Sequence, residues 1–250
     1  MDSNKIFGLR PVLEALKADK SFEKILIREG GGPDLLYQII DTAKKKNIML
    51  DRVPVERLNR LSKNANHQGV VAFLSAAEYS DLEEVLENVR LSGKQPFLLL
   101  LDKITDVRNF GAISRTAECA GIDAIIVPAK NAAPLNVDAM KTSAGALNYI
   151  PVCKTPNLRT AIYLIKNYDI KIVAATEKSG KKLFDADLSG AVAIILGSEE
   201  SGISANNLEL ADETVTIPLQ GDIDSLNVSA AAAVIAFECV RQRKFSELIE

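Results

Sequence analysis

Five short, nearly continuous apolar runs after residue 96, separated by stretches of helical period, predict an α/β fold built on a parallel sheet whose strands are covered on both faces. The smaller N-terminal third repeats the strand and helix alternation and implies a second α/β unit. At 250 residues and 27.1 kDa, with 47% hydrophobic and 25% charged residues and a mean hydropathy of +0.07, the chain has the composition of a folded globular protein. That composition excludes extensive disorder.

In chain order, residues 5–17 place Val12, Leu13 and Leu16 on one helical face. FEKILIRE at 22–29 alternates as a strand, Gly30 to Pro33 punctuate, DLLYQIIDTAKKK continues as a helix and NIMLDRV as a second strand. A helix near 54–60 and the strand VVAFLS at 70–75 complete the first unit, 1–78. Ser80 and Glu83 have the spacing of a capping box opening an acidic helix, and Gly93 to Pro96 break it, so 79–95 reads as the linker. The second unit, 96–250, carries the strands FLLLLD (97–102), AIIVP (124–128), IKIVAAT (170–176), AVAIILG (191–197) and TVTIP (214–218). Between them GAISRTAECAG and NLRTAIYLIKNY read as helices, and an Ala-rich helix closes the chain from about Asn227 to Arg243. No repeat or low-complexity segment interrupts this order.

Three loops at expected strand ends hold more glycine and polar groups than a connector needs. After the first strand, Asn109 is the expected helix N-cap, with Arg115 in the second turn on roughly the same face. After AVAIIL, Gly197 and Gly202 flank Glu199 and Glu200 and permit close backbone approach to a ligand, at the strand end where open α/β sheets bind them. In the third loop, Ser225 or Asn227 caps the last helix, whose four alanines suit close packing. Each loop taken singly is equally well explained as an ordinary capped turn.

The ordered set NFGAISRTA, GSEESGIS and IPLQGDIDSLNVSAAAAV resembles the three signature motifs of the SpoU-type RNA ribose 2′-O-methyltransferases of the SPOUT superfamily. FGLRPV at 7–12 and HQGV at 67–70 resemble that family's small substrate-binding domain, so the likeness runs nearly the whole chain. The two-domain layout is most similar to the bacterial enzymes that methylate guanosine in large-subunit rRNA. The resemblance implies a trefoil-knotted C-terminal domain and a ribosomal-protein-L30e-like N-terminal one. It implies S-adenosyl-L-methionine (AdoMet) as methyl donor, held largely by backbone at Gly197, Ile217 and Leu226, with Thr176, Gly202 and Ser229 around it. It further implies a homodimer with the last helix at the interface and with Asn109 and Arg115 near the partner's cofactor. Arg115 is then the base or, since free guanidinium stays charged, a charged stabiliser, with Asn109, Glu199, Ser225 and Asn227 orienting the reactants. RNA is the implied partner, rRNA ahead of tRNA, and a non-catalytic RNA-binding assembly factor is the alternative outside enzymology.

Composition fits these expectations. One histidine, His67, and three cysteines without a CxxC pair argue against zinc, disulfides and a histidine relay. The longest apolar run, Ala230–Phe237, is well short of the roughly 18 residues of a membrane span. MDSNKIFGLR lacks an apolar leader core, which makes the cytoplasm the expected compartment. His67 reads either as a structural histidine or as a substrate contact. Asp102, Asp106 and Glu118 read as solubilising or capping groups, and the cysteines as core. The net charge of −3 divides into +3 over residues 1–78 and −6 beyond, so the N-terminal unit is the one suited to RNA.

Overall fold

The computed structural model describes residues 5–18 and 20–245. Of the stretch read for a leader, 1–4 lie outside the described residues, as do 246–250 of the second unit. The chain up to Glu78, together with Pro134–Val137, forms one compact unit, and the remainder forms a second.

In the first unit β1 (Lys5–Phe7) leads into α1 (Leu9–Lys17), followed by β2 (Phe22–Arg28), α2 (Asp34–Lys45), β3 (Leu50–Val53), α3 (Val55–Leu61) and β4 (Val70–Leu74). The sheet order is β1-β4-β2-β3, with β2 antiparallel to β4 and parallel to β3. Strand alternation sends Ile25 and Ile27 to one face, where they pack with Leu9, Leu16, Leu36 and Ile39 of α1 and α2. Leu26 faces the other side and packs with Leu58 of α3 and Val71. The helix over α1 holds because Leu9, Val12, Leu13 and Leu16 recur at helical spacing and are all buried. The short strand β1 was not expected from sequence; three residues paired with β4 are too few to show a period.

The second unit opens with α4 (Leu82–Leu91), β5 (Phe97–Asp102), α5 (Val107–Cys119) and β6 (Ala124–Pro128). It continues through α6 (Val137–Thr142), β7 (Val152–Thr155), α7 (Leu158–Lys166), β8 (Lys171–Ala175), β9 (Val192–Gly197), α8 (Ala205–Leu208), β10 (Glu213–Val215) and α9 (Val228–Phe245). All pairings in the order β10-β8-β9-β5-β6-β7 are parallel. Leu98, Leu100, Ile172 and Ile195 pack on one face against α7 and also against Leu82 and Leu86 of α4. The stretch read as a linker thus contributes buried side chains to this core.

Several local expectations are corrected. Asp81, not Ser80, caps α4, accepting from Glu84 N–H at 3.0 Å. Asp106, not Asn109, caps α5, accepting from the N–H groups of Arg108 and Asn109 at 2.7 and 3.0 Å. A side chain can reach the free amides two and three residues ahead, so the cap precedes the first turn and Asn109 is left within it. Cys119 is exposed at the end of α5, whereas Cys153 and Cys239 are buried as expected, with thiols that burial pushes up to about 12.

Candidate active site

The strand order reverses beside β5: the chain proceeds outward through β6 and β7, then returns to the opposite side for β8 and β9. Loops leaving the C-terminal ends of β5 and β9 therefore diverge over a crevice, the usual ligand position in open parallel sheets. Asp102 ends β5 directly beside Gly197, which ends β9. Buried Asp102 is not a solubilising group. Its Oδ2 accepts from Ser204 N–H at 2.8 Å, Ser204 Oγ at 2.7 Å and Asn207 Nδ2 at 2.9 Å, fixing the far end of the loop after β9. Sequence reading missed this because the partners lie about a hundred residues on.

Within that loop Ser198 O accepts from Gly202 N–H at 2.9 Å and Ser198 Oγ accepts from Ser201 N–H at 3.1 Å. The turn brings Gly202 back onto Gly197, and Gly202 supplies a φ of +62°. A side chain at Gly197 would place Cβ 2.1 Å from Gly202 C and 2.2 Å from Ile203 N. Only glycine fits. The close approach expected at Gly197 is thus backbone against backbone.

The three motif loops meet at Glu199. Its Oε1 accepts from Asn109 Nδ2 at 3.2 Å, from Val228 N–H at 3.2 Å and from Asn227 Nδ2. Asn227 also donates to Asn109 Oδ1 at 3.1 Å, and its own Oδ1 accepts from Ser229 N–H at 2.9 Å and Ser229 Oγ at 2.5 Å. Of the two cap candidates for α9 the structure selects Asn227. Glu199 Oε1 and the Asn109 and Asn227 amides have their geometry set by one another, which is what pre-organisation requires.

Beside this knot of hydrogen bonds lies a cavity of about 400 Å³ at the ends of β8, β9 and β10. Thr176, Gly197, Gly202, Ile217, Ser225 and Leu226 line it, as does Glu199. Ser229 does not; its polar atoms are spent on Asn227. Sequence reading missed Glu177, Val215 and Ile235 on the same wall, for which no local signal exists. Asn109 lines a neighbouring cleft of about 330 Å³ that shares Ser198–Ser201 and Val228 with the first. Arg115 lines neither. At about 100° per residue it stands about 240° round α5 from Asn109, exposed, so the expectation of a shared face is corrected.

The cavity's chemistry fits an adenosyl sulfonium: apolar Ile217, Leu226 and Ile235 give a surface for a flat base, and Glu177, Glu199, Glu200 and Asp224 suit a cation. Among the described residues no cluster of His, Cys, Asp and Glu is arranged to hold a metal ion, and no helix is long and apolar enough to cross a membrane.

Residues 96–237 match the model of the SpoU rRNA Methylase family, and residues 5–80 match that of the RNA 2′-O ribose methyltransferase substrate-binding domain. The chain belongs to the SpoU rRNA methylase family. It is an RNA methyltransferase by that membership, as the motif resemblance implied. This SpoU chain is 32% identical over 242 residues to the 23S rRNA (guanosine-2′-O-)-methyltransferase of Escherichia coli K12, covering 96% of itself and 99% of that relative. It is 35% identical over 241 residues to an uncharacterised tRNA/rRNA methyltransferase of Synechocystis, where 96% of the chain spans 63% of the relative's length. Its fold matches the SpoU methyltransferase AviRb of Streptomyces viridochromogenes, solved with AdoMet, at a TM-score of 0.60 and 24% identity over 96% of this chain and 90% of that one.

Proposed function

We propose that this SpoU chain transfers the methyl group of AdoMet to a ribose 2′-hydroxyl of RNA, at a guanosine of 23S rRNA. The observation that carries the reading is the convergence of all three motifs on Glu199 at the mouth of the cavity. The 99% coverage of the E. coli relative supports rRNA as the substrate.

When bound in the cavity, AdoMet supplies an electrophilic methyl group on a sulfonium. The chain's residues have two tasks, to align the ribose oxygen in line with that methyl and to favour loss of its proton. Glu199, oriented by Asn109, Asn227 and Val228 N–H, presents a fixed carboxylate edge at the cavity mouth. Gly197, Ile217 and Leu226 form the cofactor wall, with Thr176, Gly202 and Ser225 around it. Ser229 acts through Asn227. The Arg115 guanidinium binds the RNA phosphate and stabilises the developing alkoxide, while the proton leaves to water or phosphate.

Since Arg115 lies outside its own chain's cavity, the reading includes a homodimer in which Arg115 serves the partner's site. Exposed Ala230, Val234 and Phe237, spaced four and three apart along α9, support an interface on that helix. The threaded C-terminal segment is part of this reading through the match of residues 96–237 to the family model. The mixed sheet of the first unit, with helices on both faces, supports the L30e-like domain. The cytoplasm, where ribosomes are made, is the proposed compartment.

The test is to incubate the protein with radiolabelled AdoMet and rRNA or tRNA from cells lacking the gene, then map 2′-O-methyl positions. A single restored guanosine in 23S rRNA is expected. Label in tRNA alone, or none, overturns the assignment. Arg115→Ala is expected to cut turnover by about 10²–10³-fold with AdoMet affinity by calorimetry unchanged; near-normal turnover removes Arg115 from the mechanism.

A further inference from the structure

The first unit contains a separate cavity of about 520 Å³, lined by Arg28, Asn59, Asn64, Asn66, His67 and Gln68 along with apolar residues and Gly69, and by no carboxylate. Two of its four side-chain amides, Asn59 and Gln68, are held in one orientation by the protein. The Gly69 N–H donates to His67 Nδ1 at 3.0 Å, so the ring proton is on Nε2, which donates to Asn59 Oδ1 at 2.9 Å. The acceptor of Asn59 is thereby used and its NH₂ remains to donate. Likewise Gln68 Oε1 accepts from Leu9 N–H at 3.0 Å, at the start of α1, which leaves the Gln68 NH₂ as a donor. Arg28 Nε is buried with no hydrogen-bond partner among the described residues. The guanidinium stem lies against Gly69, where φ is +87° and a Cβ would come within 2.6 Å of Arg28 Cδ.

The Asn59 and Gln68 amides, whose oxygens already accept, and the Arg28 guanidinium offer donors to a cavity with no carboxylate among its lining residues, which suits a ligand that is rich in acceptors and anionic. A nucleotide offers both, as phosphate oxygens and base carbonyl or ring-nitrogen edges. A base still in a helix cannot enter a cavity, whereas an unstacked one can. We propose that this cavity takes one unstacked nucleotide of single-stranded RNA, with Arg28, Asn59 and Gln68 as its donors and His67 as a positioning residue that orients Asn59.

The inference rests on the RNA-methyltransferase reading and names where the substrate is gripped apart from the reaction. The full-length chain is titrated into a labelled guanosine-containing single-stranded RNA oligonucleotide, and separately into the same strand annealed to its complement, at fixed salt. Arg28→Ala and Gln68→Glu are each expected to weaken single-strand binding by about tenfold or more and to leave AdoMet affinity unchanged. Gln68→Glu keeps the oxygen that caps Leu9, so it tests the donor even if Arg28→Ala fails to fold. Arg57→Ala, on the exposed face of α3, is the control for general loss of charge and is expected to change binding less than about twofold. Single-strand affinity within twofold of wild type in both cavity variants, equal losses on the duplex, or an equal loss in Arg57→Ala overturns the subsite. Cavity-dependent RNA binding by a wild-type chain that transfers no methyl group supports the subsite and overturns the proposed reaction instead.

Discussion

At Gly197 the space for a side chain is already filled by backbone, with Gly202 C 2.1 Å and Ile203 N 2.2 Å from an ideal Cβ. Gly197→Ala must push the loop carrying Glu199 off the end of β9. The expected result is a destabilisation of about 1–3 kcal/mol by urea unfolding, with loss of the thermal shift given by AdoMet. An unchanged AdoMet shift would show that the loop position does not matter to the cavity. Residue-scale chemistry was partly legible in sequence. Asn109, Glu199 and Asn227 were legible through the resemblance of their three loops to the family's motifs, since each loop taken singly reads as an ordinary capped turn. Asp102 was not legible as an anchor, since a strand-end aspartate looks the same whether it meets solvent or, as here, Ser204 and Asn207.

Among the elements, α9 shows most clearly what pattern reading leaves out. Its buried side holds Val228, Ala232, Ile235, Ala236 and Cys239, yet its outer side is also apolar at Val234 and Phe237, so no amphipathic stripe marks its orientation. Within α9, buried Glu238 gathers side chains of the same helix. Arg241 Nη2 and Nε donate to its two oxygens at 2.8 Å each, and Gln242 Nε2 donates at 2.7 Å while tying Ala186 O and Leu188 N–H to the helix. The Arg241 bonds hold the Glu238 carboxyl below its ordinary 4.5 against the opposing effect of burial. A lowered folded value means the contribution is fully present above the unfolded value and is lost as pH falls through the folded one. Glu238→Gln is therefore expected to lower stability at pH about 7 and to flatten its fall between about pH 5 and 3, read by urea unfolding. A difference from wild type that is constant with pH would exclude this role. The central strands were legible because five apolar residues between polar ends have few other uses. β1, at three residues, and β7, at four, were not, since pairing rather than pattern makes them strands.

For the whole molecule, the proposed reaction uses two copies, with Arg115, exposed and outside the lining of its own chain's cavity, serving the partner. Replacing Val234 and Phe237 together by Asp is expected to change sedimentation from a dimer to a 27.1 kDa monomer. Methyl transfer should fall about 10²-fold or more with it. A wild-type chain that is both monomeric and fully active would sink the shared-site arrangement.

The sequence by itself determined the α/β class, the central strands and longer helices of both units, and the three loops, because burial periodicity and glycine are written locally. Only the tertiary structure decided that those loops meet on one Glu199 oxygen, that Arg115 does not join them, and that Arg28, Asn59 and Gln68 face a common cavity. Those facts depend on strand order and on which helix face packs inward, and both are set by contacts between residues tens to a hundred positions apart, which no local pattern encodes.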